Sequence, residues 1–197
     1  MREEHSRCHD VVVDLDGNGW LGKPVTPDEQ EVSDWIARHL SLQRILHVGV
    51  GNASLRQRFG IRVAQALTKD GGEAKNAEKL RLPTLICNKY DIASYAAELR
   101  APFDCIVDVN IRSYACCDVH FREYIELMRK SLSPRGVLLT NRRGLGYLRP
   151  TSTADLKRLC PEWTIREKGN VVALYRGRSG LSARIAKFFK TIVPPFG

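Results

Sequence analysis

The segment from Gln43 to Phe59 has the sequence QRILHVGVGNASLRQRF. Within it, Ile45–Val48 is a short apolar run, which predicts a buried strand. Gly49 and Gly51 then allow the backbone to turn sharply and to approach a ligand closely, because glycine has no side chain. The predicted strand therefore ends in a glycine turn.

A helix is predicted directly after this turn. Leu55–Phe59 would begin it, and Asn52 or Ser54 would cap it through a side-chain oxygen. A strand, a glycine turn and a helix start together suit a nucleotide-like ligand at the carboxyl end of a parallel strand. The dinucleotide fingerprint is incomplete, since Ser54 stands where its third glycine would be, and an ordinary tight turn remains the alternative.

The length and composition fit one globular domain. The chain has 197 residues, of which 43% are hydrophobic and 27% charged. No apolar run is long enough to span a bilayer, and the polar start of the sequence shows no secretory signal. The six cysteines lack C-x-x-C spacing, so we expect reduced thiols in a cytoplasmic protein and no metal site.

The net charge of the chain is +9. Such a surplus favours an anionic partner: a nucleic acid, an acidic lipid surface or an anionic small molecule. Part of the surplus belongs to the C-terminal segment, so the charge of the remaining domain is expected to be milder.

Apolar strands alternate with amphipathic helices along the chain. The predicted strands are 45–48, 61–67, 84–87, 103–109, 137–140, 163–165 and 171–175. The predicted helices are 27–40, 55–59, 73–80, 118–132 and 154–159. Residues 92–99 are predicted to form a short helix or a turn, and residues 133–136 a turn. This order predicts an α/β fold, a Rossmann-like three-layer sandwich built from right-handed β-α-β units. Its central sheet would be mostly parallel and would end in a C-terminal antiparallel hairpin across Gly169 and Asn170.

We predict a single domain over residues 1–178, with an N-terminal arm and helix in 1–42 and a basic amphipathic tail in 179–197. One helical face of the tail is apolar and another is basic; the apolar residues are Leu181, Ile185, Phe188, Phe189 and Ile192, and the basic ones are Arg184, Lys187 and Lys190. Residues 181–192 would suit a peripheral membrane contact, a groove on a partner, or packing on the chain's own domain.

The order of motifs between Ile45 and Arg176 resembles that of the class I S-adenosylmethionine-dependent methyltransferases. The Gly49–Gly51 turn resembles the first motif of that family, and Phe103–Val107 resembles its fourth-strand motif. Leu132–Gly136 resembles the turn that precedes its fifth strand. The resemblance implies a methyltransferase that uses S-adenosyl-L-methionine as cofactor.

The resemblance also implies which residues bind the cofactor. Asp70, or its neighbour Lys69, stands where the family places the acid that binds the ribose hydroxyls. Asp91 and Ile92 resemble the pair that binds adenine. The full set of implied cofactor-binding positions is His47, Gly49, Val50, Gly51, Asn52, Lys69, Asp70, Asp91, Ile92, Val109 and Asn110.

Two positions depart from the family pattern. His47 stands where the family has Asp or Glu, and Arg135 replaces the first glycine of the Pro-Gly-Gly turn. The alternative for His47 is a core histidine that donates to a backbone carbonyl. These departures leave open a non-catalytic relative that keeps the fold as a binding protein.

The methyl acceptor is expected over the carboxyl ends of the fourth and fifth strands. The predicted substrate-binding residues are Trp20, Arg112, Tyr114, Arg142 and Arg143, and His120 is the candidate catalytic base. The guanidinium of arginine suits carboxylate or phosphate oxygens, although a solvated Arg142–Arg143 pair and a surface His120 are equally compatible with the sequence. Trp20 lies in an arm, residues 11–23, that would either cover the cofactor as a lid or pack at the sheet edge.

The sequence therefore predicts a methyltransferase acting on a small, anionic acceptor at O or N. The alternatives are an RNA or other nucleic-acid methyltransferase, which the positive charge favours, and a non-catalytic methyltransferase-like binding protein. A nicotinamide cofactor is disfavoured, because no second strand–glycine–helix unit follows. The oligomeric state is left open.

Overall fold

The computed structural model describes residues 23–41, 44–115, 117–146 and 151–176. Seven strands form one sheet: β1 (Ile45–Val48), β2 (Val63–Thr68), β3 (Thr84–Ile86), β4 (Phe103–Asp108), β5 (Leu132–Asn141), β6 (Trp163–Lys168) and β7 (Val171–Arg176). The helices are α1 (Pro27–His39), α2 (Ser54–Phe59), α3 (Gly71–Lys79), α4 (Asp118–Ser131), α5 (Arg142–Leu145) and α6 (Thr153–Leu159), and single 3₁₀ turns lie at Gly60–Arg62, Ile92–Ser94 and Ala96–Glu98.

The strand order across the sheet is β3-β2-β1-β4-β5-β7-β6. The first five strands are parallel to one another, whereas β7 is antiparallel to both β5 and β6. This topology confirms the predicted α/β architecture with a mostly parallel sheet and a C-terminal antiparallel hairpin. The order of the chain reverses direction between β1 and β4, which is where open α/β sheets bind ligands at the strands' carboxyl ends.

Two apolar clusters cover the two faces of the sheet. Successive residues of β1 point to opposite faces, so Leu46 belongs to one cluster, with Phe121 of α4, and Ile45 to the other. Trp35 of α1 and Leu55 of α2 pack in the second cluster. The sheet is therefore a buried middle layer between two layers of helices.

The start of α1 follows the sequence prediction. Thr26 is its N-cap, with the side-chain oxygen accepting a hydrogen bond from the Glu29 N–H at 3.2 Å, and Pro27 is its first residue. The helix buries Val32 and Ile36 against the sheet. α1 thereby places its first turn beside the carboxyl end of β1.

The boundaries of β2 and α3 differ from those predicted. Residues Gly60–Arg62 form a 3₁₀ turn rather than the start of a strand, and the Ile61 side chain is 86% exposed. α3 begins at Gly71, two residues earlier than predicted, because the Asp70 carboxylate accepts the Glu73 N–H at 3.0 Å and caps the helix. Asp70 thus has a capping role that its sequence motif did not indicate.

The turn predicted at Ser133–Gly136 is wrong as an element boundary, because β5 runs through it. Phe103 pairs with Leu132, and Cys105 pairs with Val137, so β5 has several more residues than β4 between the same two rungs. The extra residues form an irregularity inside one strand. The polar segment marks a bulge near the start of β5, an interior strand, instead of the end of a helix–strand connection.

The close contact between α5 and the end of β4 requires a glycine. A Cβ atom built on Gly144 would lie 1.7 Å from the Val109 carbonyl oxygen and 3.0 Å from the Cα of Asn110. The two backbones touch there, which only glycine permits. α5 is therefore packed directly on the segment that follows β4.

The predicted N-terminal arm, including Trp20, and the tail beyond Arg176 lie outside the described residues. The lid hypothesis for the arm, the boundary at residue 178 and the role of residues 181–192 stay predictions. Within the described ranges, no helix is both long and apolar enough to cross a membrane.

Candidate functional site: a pocket at the carboxyl edge of the sheet

A pocket lies at the carboxyl ends of β1, β2 and β4, against the first turns of α1 and α3. Of the predicted cofactor-binding residues, it brings together Gly49, Gly51, Lys69, Asp70, Val109 and Asn110. The described residues that line it do not include His47, Val50, Asn52, Asp91 or Ile92. The predicted site is thus assembled in part, and several residues that the sequence did not indicate complete it.

The glycine turn forms one wall of the pocket. Gly49 and Gly51 have φ values of +71° and +54°, a conformation that favours glycine. A Cβ atom on Gly49 would have no neighbour within 4 Å among the described residues, so the space beside this residue belongs to the pocket. Ala53, also at positive φ, is the N-cap of α2, while the Asn52 side chain accepts the Ser54 N–H at 3.1 Å. Asn52 therefore stabilises the start of α2.

Glu73, in the first turn of α3, makes a hydrogen bond to the backbone of the glycine turn. Its Oε2 accepts the Val50 N–H at 2.7 Å and also accepts a hydrogen bond from the Thr68 hydroxyl. Burial raises the pKa of this carboxyl, and both hydrogen bonds lower it. Glu73 lines the pocket, although the sequence placed it only within a helix.

Glu29 of α1 is a second buried carboxyl of the pocket. It lines the pocket and accepts a hydrogen bond from the Ser54 hydroxyl. Burial, reinforced by the charge of Glu73, raises its pKa to about 7, against the lowering effect of the Ser54 hydrogen bond. Glu29 was predicted only as a helix-start residue, and its position in the pocket follows from how α1 packs on the sheet.

His47 is fully buried on β1, on the face covered by α1 and α2. Its Nε2 is 3.6 Å from Glu29 Oε1, and neither ring nitrogen has a hydrogen-bond partner among the described residues. Burial lowers its pKa to about 3, so the imidazole is neutral at physiological pH. His47 thus lacks the hydrogen bond to a backbone carbonyl that the predicted alternative gave it. It also lies outside the described lining of the pocket.

The segment after β3 contributes Asn88 and Lys89 rather than Asp91 and Ile92. The Asp91 N–H donates to the Asn88 carbonyl at 2.9 Å, so the chain turns immediately after Asn88 and carries Asp91 away from the pocket. Asp91 and Ile92 are therefore not among the described residues that line the pocket, and their role in binding a cofactor stays a prediction.

Lys89 forms a buried ion pair at the bottom of the pocket. Its Nζ donates to both oxygens of Asp108 at 2.8 and 3.1 Å and to the Asn110 carbonyl at 2.8 Å. The Tyr124 hydroxyl donates to Asp108 at 2.7 Å from the other side. Burial lowers the pKa of Lys89, whereas the charge of Asp108 raises it. The pair joins the segments that follow β3 and β4.

Tyr114 and Lys69 meet at the mouth of the pocket. Lys69 Nζ lies 4.2 Å from the centre of the Tyr114 ring, a cation–π distance. Tyr114 has a φ of +64° and is 41% exposed. The structure thus brings a predicted cofactor residue and a predicted substrate residue together.

The three predicted substrate-binding arginines do not meet in the pocket. Arg112 is buried beneath it: Nη2 donates to Asp118 at 2.9 Å, and Nε and Nη1 lack a partner among the described residues. Arg142 and Arg143 are 58% and 67% exposed in their side chains and pair with Glu167 and Asp28 respectively. None of the three arginines is among the described residues that line the pocket.

His120 also lies outside the described lining of the pocket. Its Nδ1 is 3.4 Å from the Cys117 sulfur at the start of α4. This position gives no support to its predicted role as the base. Within the described residues, no group of three or more His, Cys, Asp or Glu side chains is arranged to hold a metal ion.

Solved structures that share this architecture are methyltransferases. The N-methyltransferase NodS from Bradyrhizobium japonicum, in complex with S-adenosyl-L-homocysteine, is 14% identical with a TM-score of 0.57, over 90% of this chain and 98% of NodS. The sugar N-methyltransferase KedS8 from Streptoalloteichus is 12% identical with a TM-score of 0.57, over 80% and 90% of the two chains.

A third solved structure is the O-methyltransferase NcsB1 from neocarzinostatin biosynthesis, in complex with S-adenosylmethionine and 2-hydroxy-5-methyl naphthoic acid. It is 14% identical with a TM-score of 0.50, over 75% of this chain and 56% of NcsB1. No protein-family model and no curated protein matches the sequence. Together with the strand order, these likenesses show that the chain has the fold of the class I S-adenosylmethionine-dependent methyltransferases.

Proposed function

We propose that this protein is a methyltransferase that binds S-adenosylmethionine in the pocket beside Gly49 and Gly51. The observation that carries the proposal is the open space in front of Gly49, at the carboxyl end of β1 in a sheet with the methyltransferase strand order. Solved proteins of the same fold contain this cofactor or its demethylated product. The buried carboxyls Glu29 and Glu73 also suit a cationic ligand, and the cofactor carries both a sulfonium and an ammonium.

The residues present fit such a cofactor at both of its ends. The glycine turn and the carboxyls would hold the amino acid end, and Asn88 would offer its side-chain amide to the adenine in place of Asp91. Lys69 and Asp70, after β2, would lie along the ribose. Val109 and Asn110, held by the Lys89–Asp108 pair, would form the wall on the acceptor side.

In the mechanism we propose, the cofactor supplies an electrophilic methyl group, and the chain holds the acceptor in line with it. Alignment of two reactants lowers the barrier by several kcal/mol without a catalytic side chain. A base is needed only for an acceptor that keeps its proton at neutral pH. The position of His120 outside the described pocket lining is compatible with an acceptor that is already unprotonated at neutral pH, such as an aryl amine or a phenol of low pKa.

We propose a small molecule as the acceptor, methylated at O or N and carrying a negative charge. The fold neighbours include both N- and O-methyltransferases, and one of them holds a naphthoic acid. The net charge of +9 supports an anionic acceptor, as do the exposed side chains of Arg142 and Arg143, which follow the carboxyl end of β5. Their ion pairs are exposed and weak, so a ligand carboxylate can exchange for them.

The proposal is tested by calorimetry with S-adenosylmethionine and S-adenosylhomocysteine. We expect saturable one-to-one binding of both, lost in Gly51→Val, which places a branched side chain at a positive φ in the turn. Retained folding of that variant, checked by circular dichroism, separates blocked binding from unfolding. Wild-type protein that binds neither compound would overturn the proposal.

A radiolabelled methyl assay with matched acidic and neutral phenols and amines then tests the acceptor class. Transfer to the acidic members, with little to the neutral ones, is the expected result. Transfer to RNA in preference to every small molecule would instead support the nucleic-acid alternative.

A further inference from the structure

Glu29 reaches the pocket from α1, not from the strand that carries the glycine turn. Its carboxylate is buried, lines the pocket together with Gly49, and accepts a hydrogen bond from the Ser54 hydroxyl. Position 47, at the end of β1, holds a histidine behind the same wall, 3.6 Å from Glu29. The carboxylate in this part of the pocket is therefore carried by helix α1 and not by strand β1.

The groups around Glu29 leave its charge uncompensated. His47 faces it from β1 and is neutral, Ser54 faces it from α2 as a hydroxyl, and Glu73 of α3 adds a second negative charge. Among the described residues, no lysine or arginine pairs with Glu29. The two lysines that line the pocket are held elsewhere, Lys69 on the Tyr114 ring and Lys89 on Asp108.

A buried carboxylate without a cation is costly, and a ligand cation at this corner would offset that cost. We propose that Glu29 binds the ammonium group at the amino acid end of the cofactor, supplying from α1 the negative charge that position 47 does not provide. This inference rests on the proposed function. His47 in turn serves as a neutral, space-filling wall that keeps Glu29 turned toward the pocket.

The direct test compares two neutral-sulfur probes in calorimetry: S-adenosylhomocysteine, which has the ammonium, and methylthioadenosine, which lacks the amino acid end. Glu29→Gln keeps the shape of the side chain and can still accept the Ser54 hydroxyl. We expect this variant to bind S-adenosylhomocysteine about 10- to 100-fold more weakly, the range for a lost hydrogen bond to a charged group. Its affinity for methylthioadenosine is expected to stay within twofold of wild type.

The matched control is Glu31→Gln on the same helix, where the carboxylate accepts from Asn141 and Asn170 away from the pocket. It is expected to leave both affinities unchanged. Equal losses for the two probes in Glu29→Gln, or no loss for either, would overturn the inference while leaving the proposed function intact. Wild-type protein that binds neither probe would overturn the proposed function and, with it, this inference.

The affinity of wild-type protein for S-adenosylhomocysteine should fall as the pH is lowered below about 7, where Glu29 becomes protonated, and that of methylthioadenosine should not. Thermal unfolding of each variant confirms that it is folded. An affinity for S-adenosylhomocysteine that does not fall with pH counts against the proposal.

Discussion

Lys89 Nζ lies 2.8 Å from Asp108 Oδ2, and the two side chains are 9% and 2% exposed. Lys89 also donates a hydrogen bond to the Asn110 carbonyl, and Asp108 also accepts one from the Tyr124 hydroxyl. It fixes the start of the β4–α4 segment, which lines the pocket, to the end of β3. This buried ion pair therefore holds two chain segments together at the carboxyl edge of the sheet, as apolar contacts do elsewhere in the fold.

Removing one partner of this pair should destabilise the protein strongly. Lys89→Met leaves Asp108 buried without its cation, and we expect the free energy of unfolding to fall by about 3–5 kcal/mol in urea denaturation. Lys130→Met, at an exposed pair with a 3.8 Å separation, is the control and should cost less than about 1 kcal/mol. A Lys89→Met variant as stable as wild type would show that the pair is dispensable.

Substitutions of Asn88 and Asp91 test which of the two residues contacts the adenine end of the proposed cofactor. Asn88→Ala should weaken binding of S-adenosylhomocysteine by about 1 kcal/mol, the net value of a neutral hydrogen bond, because Asn88 lines the pocket. Asp91→Ala should change the affinity by less than about 0.5 kcal/mol, since the chain turns away before it. Calorimetry that finds the larger loss in Asp91→Ala would restore the assignment made from the sequence motif.

Charge reversal at the edge of the pocket tests the anionic acceptor. If Arg142 and Arg143 hold the acceptor, Arg142→Glu with Arg143→Glu should raise the KM for an acidic acceptor at least tenfold. Cofactor affinity should stay nearly unchanged, because both side chains lie outside the described pocket lining. Arg135→Glu, in the bulge at the opposite end of β5, is the matched control. An unchanged KM in the double variant would identify the two arginines as surface charges.

The pH dependence of stability should reflect two buried groups with opposite effects. The pKa of His47 falls from 6.5 to about 3, so unfolding takes up a proton between those values and stability is lost as the pH falls through this range. The pKa of Glu29 rises from 4.5 to about 7, so the folded state binds the extra proton and stability falls as the pH rises from 4.5 to 7. The two effects oppose each other between pH 4.5 and 6.5.

Glu29→Gln removes one of the two effects. We expect this variant to gain stability relative to wild type as the pH rises from 4.5 to 7, by up to about 3 kcal/mol, which corresponds to the shift in the pKa of Glu29. Urea unfolding of both proteins at pH 4, 5.5 and 7.5 measures the difference. A stability difference that does not vary with pH would mean that Glu29 titrates near its ordinary pKa.

The sequence predicted those parts of the structure that depend on local pattern. The apolar run before Gly49, the capped start of α1 at Thr26 and the hairpin across Gly169 each follow from spacing and turn chemistry within a few residues. Their alternation with helices was enough to indicate a mostly parallel sheet, because parallel strands need helical crossovers.

Local sequence pattern could not identify Glu29, Glu73 and Asn88 as residues of the pocket. Glu29 and Glu73 come from helices, and only the packing of those helices on the sheet turns their carboxylates toward the glycine turn. Asp91 matched a motif, but a turn one residue after Asn88 changed which side chain reaches the pocket. Local pattern predicts the elements, whereas the direction of a side chain at an element's end depends on contacts distant in sequence.

Gly144 offers a way to alter the pocket from a position that touches no ligand. A methyl group added there would collide with the backbone carbonyl of Val109, so Gly144→Ala can be accommodated only by a shift of the pocket wall that carries Val109 and Asn110. The same contact gives a criterion for recognising distant relatives of this chain. A relative that keeps this packing must have glycine at position 144, because no space is left there for a side chain.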